Sequence, residues 1–211
     1  LVMQRPDAAA SLLAREMGAA VIEVANTASA VTDLARAWRG YLRGRVIALT
    51  GSVGKTTTKN LVRDVCAAYG SVVATRGNQN NELGVPRTLL AADPETAVVV
   101  VEMGMRGSGQ IAELCDFVRP DWGLVTNVGE SHIELLGSRE NIARAKAELY
   151  AALPAGRGRA FLNLDGAYLD VLMEAGGLRE RPMLLSGFAG NPDEDLREML
   201  ERDGTVCEEV V

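Results

Sequence analysis

Val46-Ile47-Ala48-Leu49-Thr50-Gly51-Ser52-Val53-Gly54-Lys55-Thr56-Thr57-Thr58 carries an apolar, β-branched run straight into a glycine-punctuated turn that ends Gly-Lys-Thr. The order predicts a strand, a tight turn and a helix that continues through the amphipathic stretch 59–68. Glycines let such a turn curl so that successive N–H groups face phosphate oxygens, and the helix adds the positive end of its dipole. In that geometry Lys55 reaches the β- and γ-phosphates as a point charge, and the Thr56 hydroxyl is placed to ligate Mg²⁺. The spacing departs from the common P-loop, which has four residues between its glycines; here only Ser52 and Val53 separate Gly51 from Gly54. The flanking strand and helix support the phosphate reading. The plain alternative is an ordinary strand-to-helix turn with a surface lysine.

Outward from this turn the same alternation repeats. Apolar runs predict strands at 46–50, 71–74, 97–101, 122–126 and 159–162, separated by helical patterns at 56–68, 84–91, 109–118, 139–153 and 166–174. Strands alternating with helices imply an α/β fold, a P-loop-type, mainly parallel sheet with helices on both faces. Ligands of such sheets bind at the carboxyl ends of the strands. Upstream, helical spacing at 7–17, a short apolar run at 20–24 and a helix at 28–41 read as an α/β edge. Beyond Asn191 the chain turns charged and ends on Glu208-Glu209-Val210-Val211, which predicts a solvated helix and a half-strand.

Bulk properties bound the function. The 211 residues suffice for one large domain, or one domain and an appendage, and 4% aromatic content predicts a core of Ala, Val and Leu. A net charge of −6 argues against nucleic-acid and membrane surfaces, which need extended basic patches, so an anionic ligand has to be held locally. Three widely spaced cysteines, Cys66, Cys115 and Cys207, form neither a metal nor a disulfide pattern and read as reduced, buried thiols. Neither an apolar run of membrane-spanning length nor a basic-then-apolar leader is present, so a cytoplasmic location is expected. A start at Leu1-Val2-Met3 reads as a piece trimmed from something longer.

Three further strand ends carry polar residues that a core would not select. The run 98–101 ends in Glu102, a carboxylate able to complete a Mg²⁺ shell begun by Thr56, or else a plain salt-bridged glutamate. The strand at 122–126 leads to His132, the single histidine, which on sequence alone reads as readily as a hydrogen-bonded surface residue. The loop Thr75-Arg76-Gly77-Asn78-Gln79-Asn80-Asn81-Glu82 precedes a helix; its amides suit a peptide or sugar ligand, and equally suit turns and N-caps.

With its short glycine spacing, the run Gly51-Ser52-Val53-Gly54-Lys55-Thr56-Thr57-Thr58-Lys59 resembles the P-loop of the Mur ligases and their folate-polyglutamate synthase relatives. Gly77-Asn78-Gln79-Asn80-Asn81-Glu82-Leu83-Gly84-Val85-Pro86, Glu102-Met103-Gly104-Met105-Arg106-Gly107 and Thr126-Asn127-Val128-Gly129-Glu130-Ser131-His132 extend the resemblance over about residues 30–190. They look like the branch that adds D-alanyl-D-alanine to UDP-N-acetylmuramoyl-tripeptide. The resemblance implies an ATP-dependent amide-bond ligase of cytoplasmic peptidoglycan precursor synthesis, working through an acyl phosphate as a monomer. Its partners are UDP-MurNAc-tripeptide and D-Ala-D-Ala, with neither nucleic acid nor membrane insertion.

The resemblance further implies that Gly51, Ser52, Val53, Gly54, Lys55, Thr56 and Thr57 bind ATP phosphates and that Thr56 and Glu102 hold one Mg²⁺. His132 helps hold a second Mg²⁺ together with Lys146, whose counterpart in related ligases is carbamylated; without the resemblance Lys146 reads as a solvated helical lysine. Lys55, His132 and Lys146 form the catalytic group, Asn80 and Asn81 line the tripeptide side, and Asn163 and Asp165 match a strand end of uncertain role. Family members have three domains and about twice this length. Residues 1–44 are therefore expected to be the tail of a UDP-sugar-binding domain with a linker helix, and 45–211 a central ATP-binding domain incomplete at its C-terminus. The rival readings are a non-catalytic nucleotide-binding remnant or scaffold of the same fold, and a switch-type NTPase, which the lack of an Asn-Lys-x-Asp element disfavours.

Overall fold

Two very short strands near the N-terminus, β1 (Val2–Met3) and β2 (Ile22–Glu23), pair in parallel around a crossover helix, α1 (Ala8–Glu16). This is the α/β edge expected there. The computed structural model describes residues 2–5, 7–181 and 183–188, together with the backbone of 206–207. The Asp7 carboxylate caps α1 by accepting from the Ala10 N–H at 2.7 Å. Asn26 does the same for α2 (Thr27–Arg39), accepting from Ser29 at 3.0 Å.

Seven parallel strands follow: β3 (Arg45–Thr50), β4 (Val72–Ala74), β5 (Val98–Glu102), β6 (Trp122–Val125), β7 (Arg159–Asn163), β8 (Leu184–Phe188) and β9 (Val206–Cys207). They lie in the order β4-β5-β3-β6-β7-β8-β9. Between them run α3 (Lys55–Ala67), α4 (Val85–Leu90), α5 (Gln110–Val118), α6 (Ile133–Leu136), α7 (Arg139–Ala151) and α8 (Leu169–Ala175). The predicted strands and helices are found, with ends displaced by up to three residues. Sequence reading did not anticipate β1, β8 or the single turn α6, and the charged stretch after Asn191 lies outside the described residues.

Central strands are apolar throughout because both their faces are covered: Val46, Ala48, Leu49, Val99, Val100 and Val101 are wholly buried. Helix α2 packs on α4 and α5. It is fastened there by Trp38 Nε1 on the Ala92 carbonyl (2.8 Å), Arg39 Nε on the Val118 carbonyl (2.8 Å) and the Arg36–Asp116 ion pair. Cys115 is buried and Cys66 partly so, both as free thiols. Burial, reinforced by Glu148, pushes the Cys115 thiol up to about 12, which excludes thiolate chemistry at neutral pH. No helix among the described residues is long and apolar enough to cross a membrane.

Two features of the sheet place the site. The chain runs from β3 outward to β4, returns to β5 between them, then crosses to β6 on the far side of β3, so the strand order reverses around the carboxyl end of β3. The Tyr150 hydroxyl, wholly buried, is inserted between β6 and β7 beyond their last paired residues, accepting from Val125 N (3.1 Å) and donating to the Phe161 carbonyl (2.7 Å). The two strands part there. The tail of β6 is thereby free to lean on the turn after β3.

Candidate active site

That turn is bound to the β6 tail on every side. Ser52 N donates to the Asn127 carbonyl (3.2 Å) and Val53 N to Asn127 Oδ1 (3.1 Å). The Val53 carbonyl accepts from Thr126 Oγ1 (2.8 Å) and Asn127 Nδ2 (3.1 Å), and Ser52 Oγ accepts from Gly129 N (2.8 Å). Gly51 is dictated by this closeness, since a Cβ there would lie 1.9 Å from Thr126 Oγ1. The N–H groups of Ser52 and Val53, expected to point at phosphate, are engaged here by Asn127.

The amides that remain belong to the helix. Gly54, in the left-handed region at φ 80°, turns the chain into α3 without any side-chain cap. Among the described residues, no acceptor takes the N–H of Gly54, Lys55, Thr56 or Thr57; the first bonded amide is Thr58, on the Gly54 carbonyl at 2.9 Å. Helix α5 shows what a structural solution looks like. It too starts from a left-handed glycine, Gly109, yet two of its first amides are taken by Glu148, which accepts from Gly109 N (2.6 Å) and Ala112 N (3.0 Å). The contrast leaves α3 as a helix start open to an anion.

Lys55 stands over this opening. Its ammonium donates to the Gly51 carbonyl (2.7 Å) and more weakly to that of Ser52 (3.3 Å); burial lowers its pKa, with Glu102 opposing. Across the sheet edge the Thr56 hydroxyl donates to both oxygens of Glu102, at 3.1 and 3.3 Å. With its proton directed at the carboxylate, the hydroxyl keeps its oxygen lone pairs for a metal. Thr56 and Glu102 are thus brought together as expected. Among the described residues no three His, Cys, Asp or Glu side chains cluster as a ready metal cage. The donor set is one hydroxyl and one carboxylate, the hard-oxygen pair that Mg²⁺ shares with phosphate oxygens.

A cleft of about 850 Å³ opens beside the loop, lined among others by Gly51, Lys55, Asn80, Arg106, His132 and Lys146. His132 sits there half-buried in the left-handed region (φ 65°) and starts α6, but has no hydrogen bond to Glu102 or Thr56. Lys146 is buried on α7. Its pKa is pulled down to about 8 by burial and by the nearby Lys55 cation. The solvated lysine of the plain reading is therefore not what the structure holds.

The two asparagines expected on the tripeptide side also have partners within the fold. Asn80 Nδ2 donates to Glu102 Oε1 at 2.9 Å, and Asn81 Oδ1 accepts from Gly84 N at 3.0 Å just ahead of α4. One amide steadies the carboxylate and the other caps a turn, although both side chains still border the cleft. Asn163 Nδ2 reaches the Thr126 carbonyl at 3.3 Å, so it ties β7 to the tail that holds the loop. Sequence reading missed Lys59, which is buried with its ammonium 3.4 Å from Glu102 Oε2 and 3.0 Å from the Gly77 carbonyl. The signal was its place three residues after Thr56, on the same helix face.

An open helix start, a loop lysine and a threonine–carboxylate pair at the switch point of a parallel sheet define a P-loop-type nucleotide-binding domain. The chain belongs to the Mur ligase family: residues 49–206 match the Mur ligase middle domain. It is 50% identical over 146 residues to the UDP-N-acetylmuramoyl-tripeptide–D-alanyl-D-alanine ligase of Synechocystis, a match covering 69% of this chain and 32% of that enzyme. The structure of MurF from Acinetobacter baumannii superposes with a TM-score of 0.76 at 31% identity, covering 89% of this chain and 39% of that one. MurF ligase from Thermotoga maritima, solved in complex with ADP, gives 0.71 at 30% identity, covering 88% and 40%. The chain spans about a third of the length of the curated relatives it matches.

Proposed function

We propose that this chain is the central ATP-binding region of a ligase that joins D-Ala-D-Ala to UDP-MurNAc-tripeptide in peptidoglycan precursor synthesis in the cytoplasm, acting as a monomer. The observation that carries the reading is the uncapped start of α3 beneath Lys55, beside the Thr56–Glu102 pair. In this reading residues 1–44 are the closing part of a sugar-nucleotide-binding domain with its linker helix, and residues 45–211 belong to the ATP-binding domain.

The amides of residues 54–57 hold the phosphates of ATP, and Lys55 leaves the Gly51 carbonyl to meet the group being transferred. The γ-phosphoryl passes to the terminal carboxylate of the tripeptide, giving an acyl phosphate and ADP. The dipeptide amine then attacks the acyl carbon, and phosphate leaves with loss of a proton from nitrogen. Neither step needs a protein nucleophile; the chain positions reactants and offsets charge. Thr56 and Glu102 would hold one Mg²⁺, and His132 with a carbamylated Lys146 a second, the ions neutralising repulsion between carboxylate and triphosphate. Carbamylation needs the neutral amine, and the depressed Lys146 pKa favours that form.

The test is a chimera in which this chain replaces the matching stretch of the Synechocystis enzyme, assayed for ADP release. Release is expected only when UDP-MurNAc-tripeptide and D-Ala-D-Ala are both present. A folded, nucleotide-binding chimera whose ADP release ignores the dipeptide would contradict the assignment.

A further inference from the structure

Lys59 has a position that the phosphate chemistry does not require. It lies on α3 one turn after Thr56, its side chain 3% exposed, and its ammonium touches Glu102 Oε2 (3.4 Å) and the Gly77 carbonyl (3.0 Å). It borders a separate cleft at the β4 edge with Arg63, Arg76 and Arg87, and is not among the residues lining the cleft that holds Lys55 and Lys146. Its ammonium thus meets the Glu102 carboxylate from the β4 side. Lysines are rarely buried without a partner, and a carboxylate as buried as Glu102, with its side chain 2% exposed, needs one equally. Both Glu102 oxygens are shared: Oε1 by Thr56 and Asn80, Oε2 by Thr56 and Lys59. The second bond, to Gly77, fixes the ammonium at the start of the loop from which Asn80 reaches the same carboxylate.

We propose that Lys59 is the resident counter-ion of Glu102 and thereby sets the affinity of this site for Mg²⁺; the metal half of this proposal rests on the Mg-nucleotide reading above. Without metal, the lysine neutralises a buried carboxylate. With metal, it is a like charge close behind the same carboxylate, and it weakens the attraction for the divalent ion. Lys59 is a positioning residue: it acts through Glu102 and touches neither phosphate nor ion.

The experiment compares the 211-residue chain with Lys59→Met, Glu102→Gln and the double variant. It reads metal-free thermal unfolding and the Mg²⁺ concentration at half-maximal ADP binding. Lys59→Met is expected to unfold at lower temperature without metal, because Glu102 is left buried and unpaired, and to lower the Mg²⁺ midpoint by about tenfold or more. The double variant should recover metal-free stability and show a midpoint no lower than that of Glu102→Gln alone. A role limited to packing would destabilise the single and double variants alike and leave the midpoint unmoved, which overturns the proposal. If Lys59→Met fails to fold, rescue by Glu102→Gln supports the pairing, and failure of both variants overturns it. A parent chain that binds no ADP with or without Mg²⁺ contradicts the nucleotide reading instead, and the stability comparison then still decides whether the two charges are paired.

Discussion

Lys55→Ala is expected to weaken Mg-ADP binding by the chain at least about tenfold, and to lower turnover of the chimeric ligase by roughly 10²–10³ or more, as loss of a group that stabilises transition-state charge typically does. The fold should survive. Lys55 is only half-buried, and its two hydrogen bonds run to carbonyls of its own loop, at 2.7 and 3.3 Å. Open amides at residues 54–57 remain after the substitution, so residual binding is expected while the rate falls. Calorimetric titration with Mg-ADP and a coupled ADP-release assay check the two halves separately. Turnover within a few-fold of the parent would remove Lys55 from the chemistry.

Lys146 carries the second large effect, a dependence of stability on pH. Its folded pKa is about 8 against the ordinary lysine value of 10.5, so between those values the unfolded chain binds a proton that the folded chain does not. Stability therefore rises with pH across that window, and below about pH 8 the folded state bears a charge penalised by burial and by Lys55. The span corresponds to roughly 3 kcal/mol at about 1.4 kcal/mol per pH unit. Lys146→Met should abolish this rise and unfold at higher temperature than the parent at pH 7. Added bicarbonate should stabilise the parent near pH 8, because a carbamate beside the Lys55 cation turns repulsion into attraction, and should leave the methionine variant unchanged. Parallel pH profiles of the two proteins would contradict this account of Lys146.

The central strands β3 and β5 were legible because each is a nearly continuous apolar run of β-branched and aliphatic residues, the pattern that burial on both faces imposes; β8, interrupted by Ser186 and Gly187, was not. Helix α6 was not legible: four residues between left-handed His132 and Gly137 are too few to show a period. Glu102 and Thr56 were found because one ends a strand and the other begins a helix, and the sheet brings those ends together. Lys59 escaped for the opposite reason. A lysine within an amphipathic helix ordinarily faces water, and the carboxylate delivered by β5, with the Gly77 carbonyl, makes its burial tolerable. The bonds of the Ser52 and Val53 amides were not legible because their partner, Asn127, lies more than seventy residues away, where loop composition gives no hint of it. The asparagines of the 77–84 loop divided between roles for the same reason, with Asn80 meeting Glu102 across the sheet and Asn81 meeting its own turn.

The nucleotide reading depends on an anion seated at the start of α3. The most direct measurement is a crystal structure of the 211-residue chain with Mg²⁺ and ADP. The account predicts the β-phosphate within hydrogen-bonding distance of the amides of residues 54–57, Lys55 Nζ turned from the Gly51 carbonyl onto phosphate oxygen, Mg²⁺ on the Thr56 hydroxyl, and the Ser52 and Val53 amides still on Asn127. ADP bound elsewhere, with Lys55 still on the Gly51 carbonyl and those four amides facing water, would contradict it.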